Sequence, residues 1–153
     1  MITKTRILST LPAEDGDRLM ALAREVSFPA GSRIFAEGGR ADRFWIIRSG
    51  SVALEAHVPG RRAPVVEVLT HGRLLGWSWL LPPHRWQLGA RAESAVHAYE
   101  FDAAEVRALA DRDPVLGRSL ALLVASAAAQ RLQAARKRLP EAYAATEALP
   151  EAD

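Results

Sequence analysis

At 153 residues and 49% hydrophobic composition, the chain has the size of one ordinary domain and enough apolar side chains for a core, which excludes a disordered protein. Its 20 Lys and Arg stand against 18 Asp and Glu, a net charge of +2 that is too near neutral to imply a nucleic-acid-binding field. The absence of cysteine excludes a disulfide framework, a thiolate metal site and a Cys nucleophile.

The first residues, Met1 to Leu8, have basic side chains without the long apolar core of a secretory signal. The longest apolar run, Leu120 to Ala129, is shorter than the roughly 20 residues that span a bilayer. A cytoplasmic protein with no membrane segment is expected. Leu11, Leu19, Leu22 and Val26 recur at helical spacing, predicting an amphipathic packing helix between Leu8 and Val26, with Ser9 or Thr10 as its N-cap before Pro12.

From residue 27 to residue 101 short β-branched and aromatic runs alternate with Gly and Pro punctuation, as in Phe28-Pro29-Ala30-Gly31 and Pro59-Gly60-Arg61-Arg62. That rhythm predicts a double-sheet jelly roll. Phe44 to Ile47 suits a buried strand, Ser51 to Ala56 alternates, and Val65 to Leu69 supplies the next strand. Between the last two, Val58 to Pro64 is a hairpin loop with Arg61 and Arg62 at a solvated tip.

After Phe101 the pattern is helical again. Asp102 is the expected N-cap for an apolar face of Ala103, Val106, Leu109 and Ala110, and Pro114 suits the first position of a new helix because its missing N–H costs nothing there. From Val115 to Leu139 a seam of Leu116, Leu120, Leu123 and Ala127, continuing through Leu132, Ala135 and Leu139, has the spacing of a helix that packs on a partner. The alternative is packing against the chain's own barrel. Arg136, Lys137 and Arg138 read as a solvated helix end or a contact patch for a regulatory partner. Residues 140–153 are expected to be a flexible tail.

The segments Gly31-Ser32-Arg33-Ile34-Phe35-Ala36-Glu37-Gly38, Ala41-Asp42 and Phe44 through Val52 carry glycines and apolar pairs at a recognisable spacing. Together they resemble the cyclic nucleotide-binding domain of the catabolite activator and fumarate/nitrate regulator superfamily, with the likeness running from residue 11 to residue 139. The resemblance implies an α+β fold: a jelly-roll barrel (27–101) with an N-terminal helix, then helices (102–139) ending in a long dimerisation helix. It implies a homodimer through Val115–Leu139. No residues follow to build the family's helix-turn-helix, so direct DNA binding is not expected.

The same resemblance places a phosphate-binding cassette, a short helix whose N-terminus faces the cyclic phosphate, in the stretch Leu75-Gly76-Trp77-Ser78-Trp79 through Arg85-Trp86-Gln87. Gly76 matches the glycine that opens it. The next position, ordinarily a Glu that accepts from the ribose 2′-hydroxyl, is Trp77, whose indole only donates and buries about 200 Å². Trp86 and Gln87 fall where the family has its phosphate-binding Arg and a small residue, with Arg85 one step away and aimed either at the pocket or at solvent. A third family determinant, a Ser or Thr on the long helix, aligns with Ala135 and Arg136; Ser126 is the nearest hydroxyl.

These departures argue against tight binding of cyclic AMP or cyclic GMP. Three readings stay open: an aromatic-walled pocket for an unidentified ligand, with Arg85, Gln87 and Ser78 as polar handles; a tryptophan plug in a structural interaction module; and weak cyclic AMP binding. No enzyme is expected. His57, His71, His84 and His97 are scattered without metal-ligand spacing, and Glu93, Ser94 and His97 lack a nucleophile elbow. No metal, cofactor or catalytic residue is assigned.

Overall fold

The computed structural model describes the backbone of residues 11–147 and the side chains of residues 11–137. The expected caps Ser9 and Thr10, the Leu139 side chain and the last six residues of the expected tail lie outside the described residues. The elements are α1 (Ala13–Met20), β1 (Arg24–Phe28), β2 (Arg33–Phe35), β3 (Arg43–Ser49), β4 (Val52–Glu55), β5 (Val65–Leu69), β6 (Leu74–Leu75), β7 (Gly89–Ala92), β8 (Val96–Asp102), α2 (Ala103–Arg112) and α3 (Pro114–Glu147).

Two four-stranded antiparallel sheets, ordered β1-β8-β3-β6 and β2-β7-β4-β5, make the jelly roll. The continuous apolar run of β3 explains its place. Phe44, Trp45, Ile46 and Ile47 are all buried, as a strand between two neighbours requires. Gly50 turns β3 into β4 at φ 94°, where a Cβ would meet the Ala95 carbonyl oxygen at 2.3 Å; only glycine fits both the conformation and the space.

The N-terminal helix is shorter than its periodicity predicts. It ends at Met20, and Val26 belongs to β1, opposite Ala98 of β8. Val26 and Phe28 are both half-buried while their neighbours are exposed, so a period of two in this segment prevails over the helical spacing of Leu22 and Val26. Helix α1 starts after Pro12 with no side-chain cap. It is tied to the junction of α2 and α3 by the Arg18–Asp113 ion pair. The expected alternation in β4 is also corrected: all four residues are buried, because Glu55 is covered by Arg33 at 3.2 Å and Arg91 at 3.5 Å from β2 and β7.

Glu100 fastens the other sheet. Its carboxylate accepts from Arg24 of β1, from Arg43 at 3.3 Å and from the Trp45 indole N–H at 3.2 Å, both of β3. Burial pushes this carboxyl up, but the hydrogen bonds and charges of Arg24 and Arg43 outweigh it and hold Glu100 below its ordinary range. A depressed carboxylate stabilises the fold fully above its unfolded-state pKa and stops doing so as pH falls through the native one. Glu100→Gln is therefore expected to be less stable than the parent at neutral pH and to lose less stability between about pH 5 and pH 2, so that the two curves converge in acid denaturation scans.

Asp102 caps α2 by accepting from the Glu105 N–H at 3.1 Å, and Asp113 caps α3 through the Val115 and Leu116 N–H groups at 3.2 Å, with Pro114 first in the helix. Helix α3 packs on α2 and β5 and continues through Pro140 to Glu147, so Arg136 and Lys137 sit in mid-helix rather than at a helix end. Pro114–Lys137 is long and apolar enough to cross a membrane by length and composition alone. One of its faces lies on the barrel and carries a paired arginine, Arg131, while the opposite face is exposed.

That inner face holds Leu116, Leu120, Leu123 and Ala127, all at most 3% exposed. The first half of the seam expected to meet a partner helix is thus used inside the chain, while its continuation at Leu132 and Ala135 is exposed. A second stripe, Val115, Arg118, Leu122, Ala125, Ala129, Leu132 and Arg136, repeats at alternating steps of three and four residues and is exposed throughout. Leucines at both spacings made the two stripes indistinguishable by period alone, and the one richer in leucine went inward.

Candidate functional site

Between β6 and β7 the chain forms a loop of turns with no regular helix. The helix that the resemblance implied for the cassette is absent, and with it the aligned N–H groups that would attract an anion. Leu75 is the last residue of β6, paired with Trp45 of β3, and is fully buried in the core. Gly76 follows at φ 90°, and a Cβ on it would lie 2.7 Å from the far edge of the Trp86 indole. Glycine is required there twice over, by conformation and by the ring against it.

Two of the cassette tryptophans, Trp79 and Trp86, enter separate aromatic stacks. Trp79, with no exposure, stacks on Phe44 at 4.3 Å, and Phe44 on Phe101 at 4.7 Å. Its carbonyl accepts from Arg107 of α2 at 2.6 Å, and its indole N–H is buried without a partner among the described residues. Trp79 is a core residue. Trp86, 5% exposed, stacks on Phe35 at 4.0 Å and lies 6.0 Å from Trp45. Its backbone is clamped at both ends, the Gly38 N–H donating to the Trp86 carbonyl and the Trp86 N–H to the Gly39 carbonyl, each at 2.8 Å.

Arg85 is exposed and its side chain turns toward the β2–β3 loop, where it donates to the Gly38 carbonyl at 3.2 Å, while its backbone pairs antiparallel with that of Arg40. The Gln87 side chain donates to the Arg85 carbonyl. Of the eight candidates, Gly76, Trp77, Ser78, Trp86 and Gln87 line one cavity of about 170 Å³; Leu75, Trp79 and Arg85 do not. Phe35, Leu54 and Leu88 complete its apolar wall.

The residue that sequence reasoning missed is Arg131. It reaches the cavity from α3, where Ala135, Arg136 and Ser126 are exposed. The signal was present, since Arg131 continues the buried spacing of Leu120, Val124 and Ala127 and so puts a cation on an apolar face. It donates to Glu67 of β5 at 3.1 Å and to the Leu74 carbonyl at 3.5 Å, while Glu67 also accepts from Arg73 at 2.8 Å. Burial pushes the Arg131 guanidinium down, Glu67 opposes this, and Arg73 adds to it.

Other cavities are charged and internally matched. One of about 370 Å³ includes Arg33, Glu37, Glu55 and His57, with Glu55 already paired and Glu37 accepting from the His57 N–H at 2.9 Å. The histidines have structural partners in two cases, His97 with Ser27 at 3.0 Å and His71 with the Arg48 carbonyl at 2.7 Å. Among the described residues no three His, Asp or Glu side chains converge as a metal site would require.

Two sheets rolled into a barrel, a loop cassette at its mouth and a long helix laid beside that mouth define a domain of cyclic nucleotide-binding type. Residues 25–113, more than half of the chain, match the family described as cyclic nucleotide-binding domain, and the chain belongs to that family. Its structure is similar to that of a protein described as cyclic nucleotide-binding from Geobacter metallireducens GS-15, at 28% identity and a TM-score of 0.74, covering 86% of this chain and 99% of the other. It also resembles the catabolite activator protein of Thermus thermophilus, at 24% identity and a TM-score of 0.70, covering 90% of this chain. The c-di-GMP-responsive global regulator of Xanthomonas campestris shares the fold at 18% identity and a TM-score of 0.71, covering 83% of this chain. The chain spans 62% of the length of each of these two regulators. Among curated proteins no relative matches by sequence.

Proposed function

We propose that this chain is a non-catalytic regulatory module of the cyclic nucleotide-binding family whose cassette does not hold a cyclic nucleotide. The observation that carries the reading is Trp86, whose indole lies between Phe35 and Gly76 and leaves a cavity of about 170 Å³, below the roughly 300–1,000 Å³ of ordinary ligand pockets. The missing cassette helix and the outward Arg85 remove the groups that would hold a phosphate there.

The reading extends to the output. A second copy packs along the exposed stripe of α3, in the cytoplasm, and ligand occupancy shifts how that helix is held. Calorimetric titration with cyclic AMP and cyclic GMP to millimolar concentration is expected to give no saturable heat; saturable binding of either would overturn the reading. Leu122→Glu combined with Leu132→Glu is expected to turn a dimer into a folded monomer in sedimentation, because both leucines are more than half exposed in the single chain and bear none of its core.

A further inference from the structure

We propose that the cavity between the cassette and α3 is a binding site for a small organic acid with a single ring, the ring lying against Trp77, Trp86 and Phe35 and the carboxylate on Arg131. This rests on the reading that the site has given up cyclic nucleotides, and it names what the remaining space selects.

Size is the first argument. A cavity of about 150 Å³ lined by apolar side chains takes benzene, so about 170 Å³ partly open to solvent takes one ring with a short acidic arm. A purine with ribose and phosphate does not fit. The wall is the second. Phe35, Leu54, Trp77, Trp86 and Leu88 present apolar and aromatic surface, and among the described residues no Asp or Glu lines the cavity to repel an anion.

Charge is the third and decides the class. Arg131 has a side chain nine-tenths buried, and its one acidic partner among the described residues is Glu67, which it shares with Arg73. Two guanidiniums on one carboxylate leave this cluster an anion short at the edge of an apolar space. Guanidinium offers five N–H donors in a planar fork, and the contacts to Glu67 and Leu74 occupy only part of it. A ligand carboxylate would supply the missing charge and accept the remaining donors. Burial and the like charge of Arg73 both act against the charged form of Arg131, and an anion in the cavity would relieve both. Because Arg131 belongs to α3 and Glu67 to β5, the ligand would sit beside one of the contacts between the helix and the barrel.

The probes are benzoate and phenylacetate, with benzyl alcohol as the neutral ring and acetate as the ringless anion, followed by tryptophan fluorescence and calorimetry. Saturable binding of the aromatic acids is expected, with benzyl alcohol and acetate each at least about tenfold weaker. Arg131→Met, a folded variant because Glu67 keeps Arg73, is expected to lose the acid preference while retaining weak binding of the neutral ring. In the parent protein, nuclear Overhauser contacts from the benzoate ring to the Trp86 indole locate the ligand without recourse to a variant. Absence of saturable acid binding, or acid binding that Arg131→Met leaves unchanged, overturns the proposal. If neither cyclic nucleotide nor acid binds, the exclusion of nucleotides stands and this inference falls; if cyclic AMP binds, the underlying reading falls with it.

Discussion

Trp86→Ala is expected to lower the unfolding free energy by about 3–5 kcal/mol, a fall in Tm of about 6 to 20 °C at about 2–4 °C per kcal/mol for a chain of this size. The ring is almost wholly buried and stacked at 4.0 Å on Phe35. Collapse around the vacancy is opposed because both backbone bonds to the Gly38-Gly39 segment survive the substitution, so the loop stays where it is and a cavity remains. Costs rise with residual cavity volume, which places this variant toward the upper part of the range. Trp77→Ala, at a half-buried ring on the rim, is expected to cost clearly less. Urea titrations of the two variants give the comparison. Neither Trp86→Ala nor Trp77→Glu is expected to gain cyclic AMP binding: the first still lacks a carboxylate for the ribose and a helix N-terminus for the phosphate, and the second still has Trp86 in the space. A cyclic AMP-dependent rise in Tm for either would show that one obstacle alone keeps nucleotides out.

The barrel was readable from sequence because its signals are local. The apolar run Phe44–Ile47 and the turn at Gly50 state their own structure, and Gly76 marks the start of the cassette whatever follows it. The jelly roll with a helix at either end, the cap at Asp102 and the start of α3 at Pro114 came out as their local chemistry predicts. What was not readable depends on which of two similar patterns wins in three dimensions. Helix α3 has two stripes of nearly equal period, and only the shape of the barrel decides that Leu116, Leu120, Leu123 and Ala127 face it while Leu122 and Leu132 face out. Arg85 is adjacent in sequence to the pocket residues, yet alternation along the chain sends it to Gly38 while Trp86 turns in. Arg131 sits 45 residues beyond Trp86 in the chain, and its role depends on a partner, Glu67, that no motif links to it.

Glu67→Gln and Arg131→Met remove the two halves of one ion pair and are expected to differ sharply in cost. Glu67→Gln leaves Arg131, nine-tenths buried, facing Arg73 with no carboxylate between them. Stranding a buried charge in this way costs about 3–5 kcal/mol. Arg131→Met leaves Glu67 with Arg73 still at 2.8 Å, on a side chain about a third exposed, while the methionine stem keeps much of the packing of the arginine it replaces. No charge is orphaned, and the expected loss is about 1 kcal/mol or less. Denaturant unfolding of both variants and of the double variant measures this as a cycle. Because the residues touch, their effects are expected not to add: the double variant should recover most of what Glu67→Gln loses, since the cation that was stranded is gone. Equal losses in the two single variants would mean that Arg73 does not hold Glu67 when Arg131 is absent, and the excess positive charge attributed to this cluster would not exist. A large loss for Glu67→Gln that the double variant recovers would instead put the penalty on Arg131 itself, a buried cation whose charge an anion entering the cavity could meet.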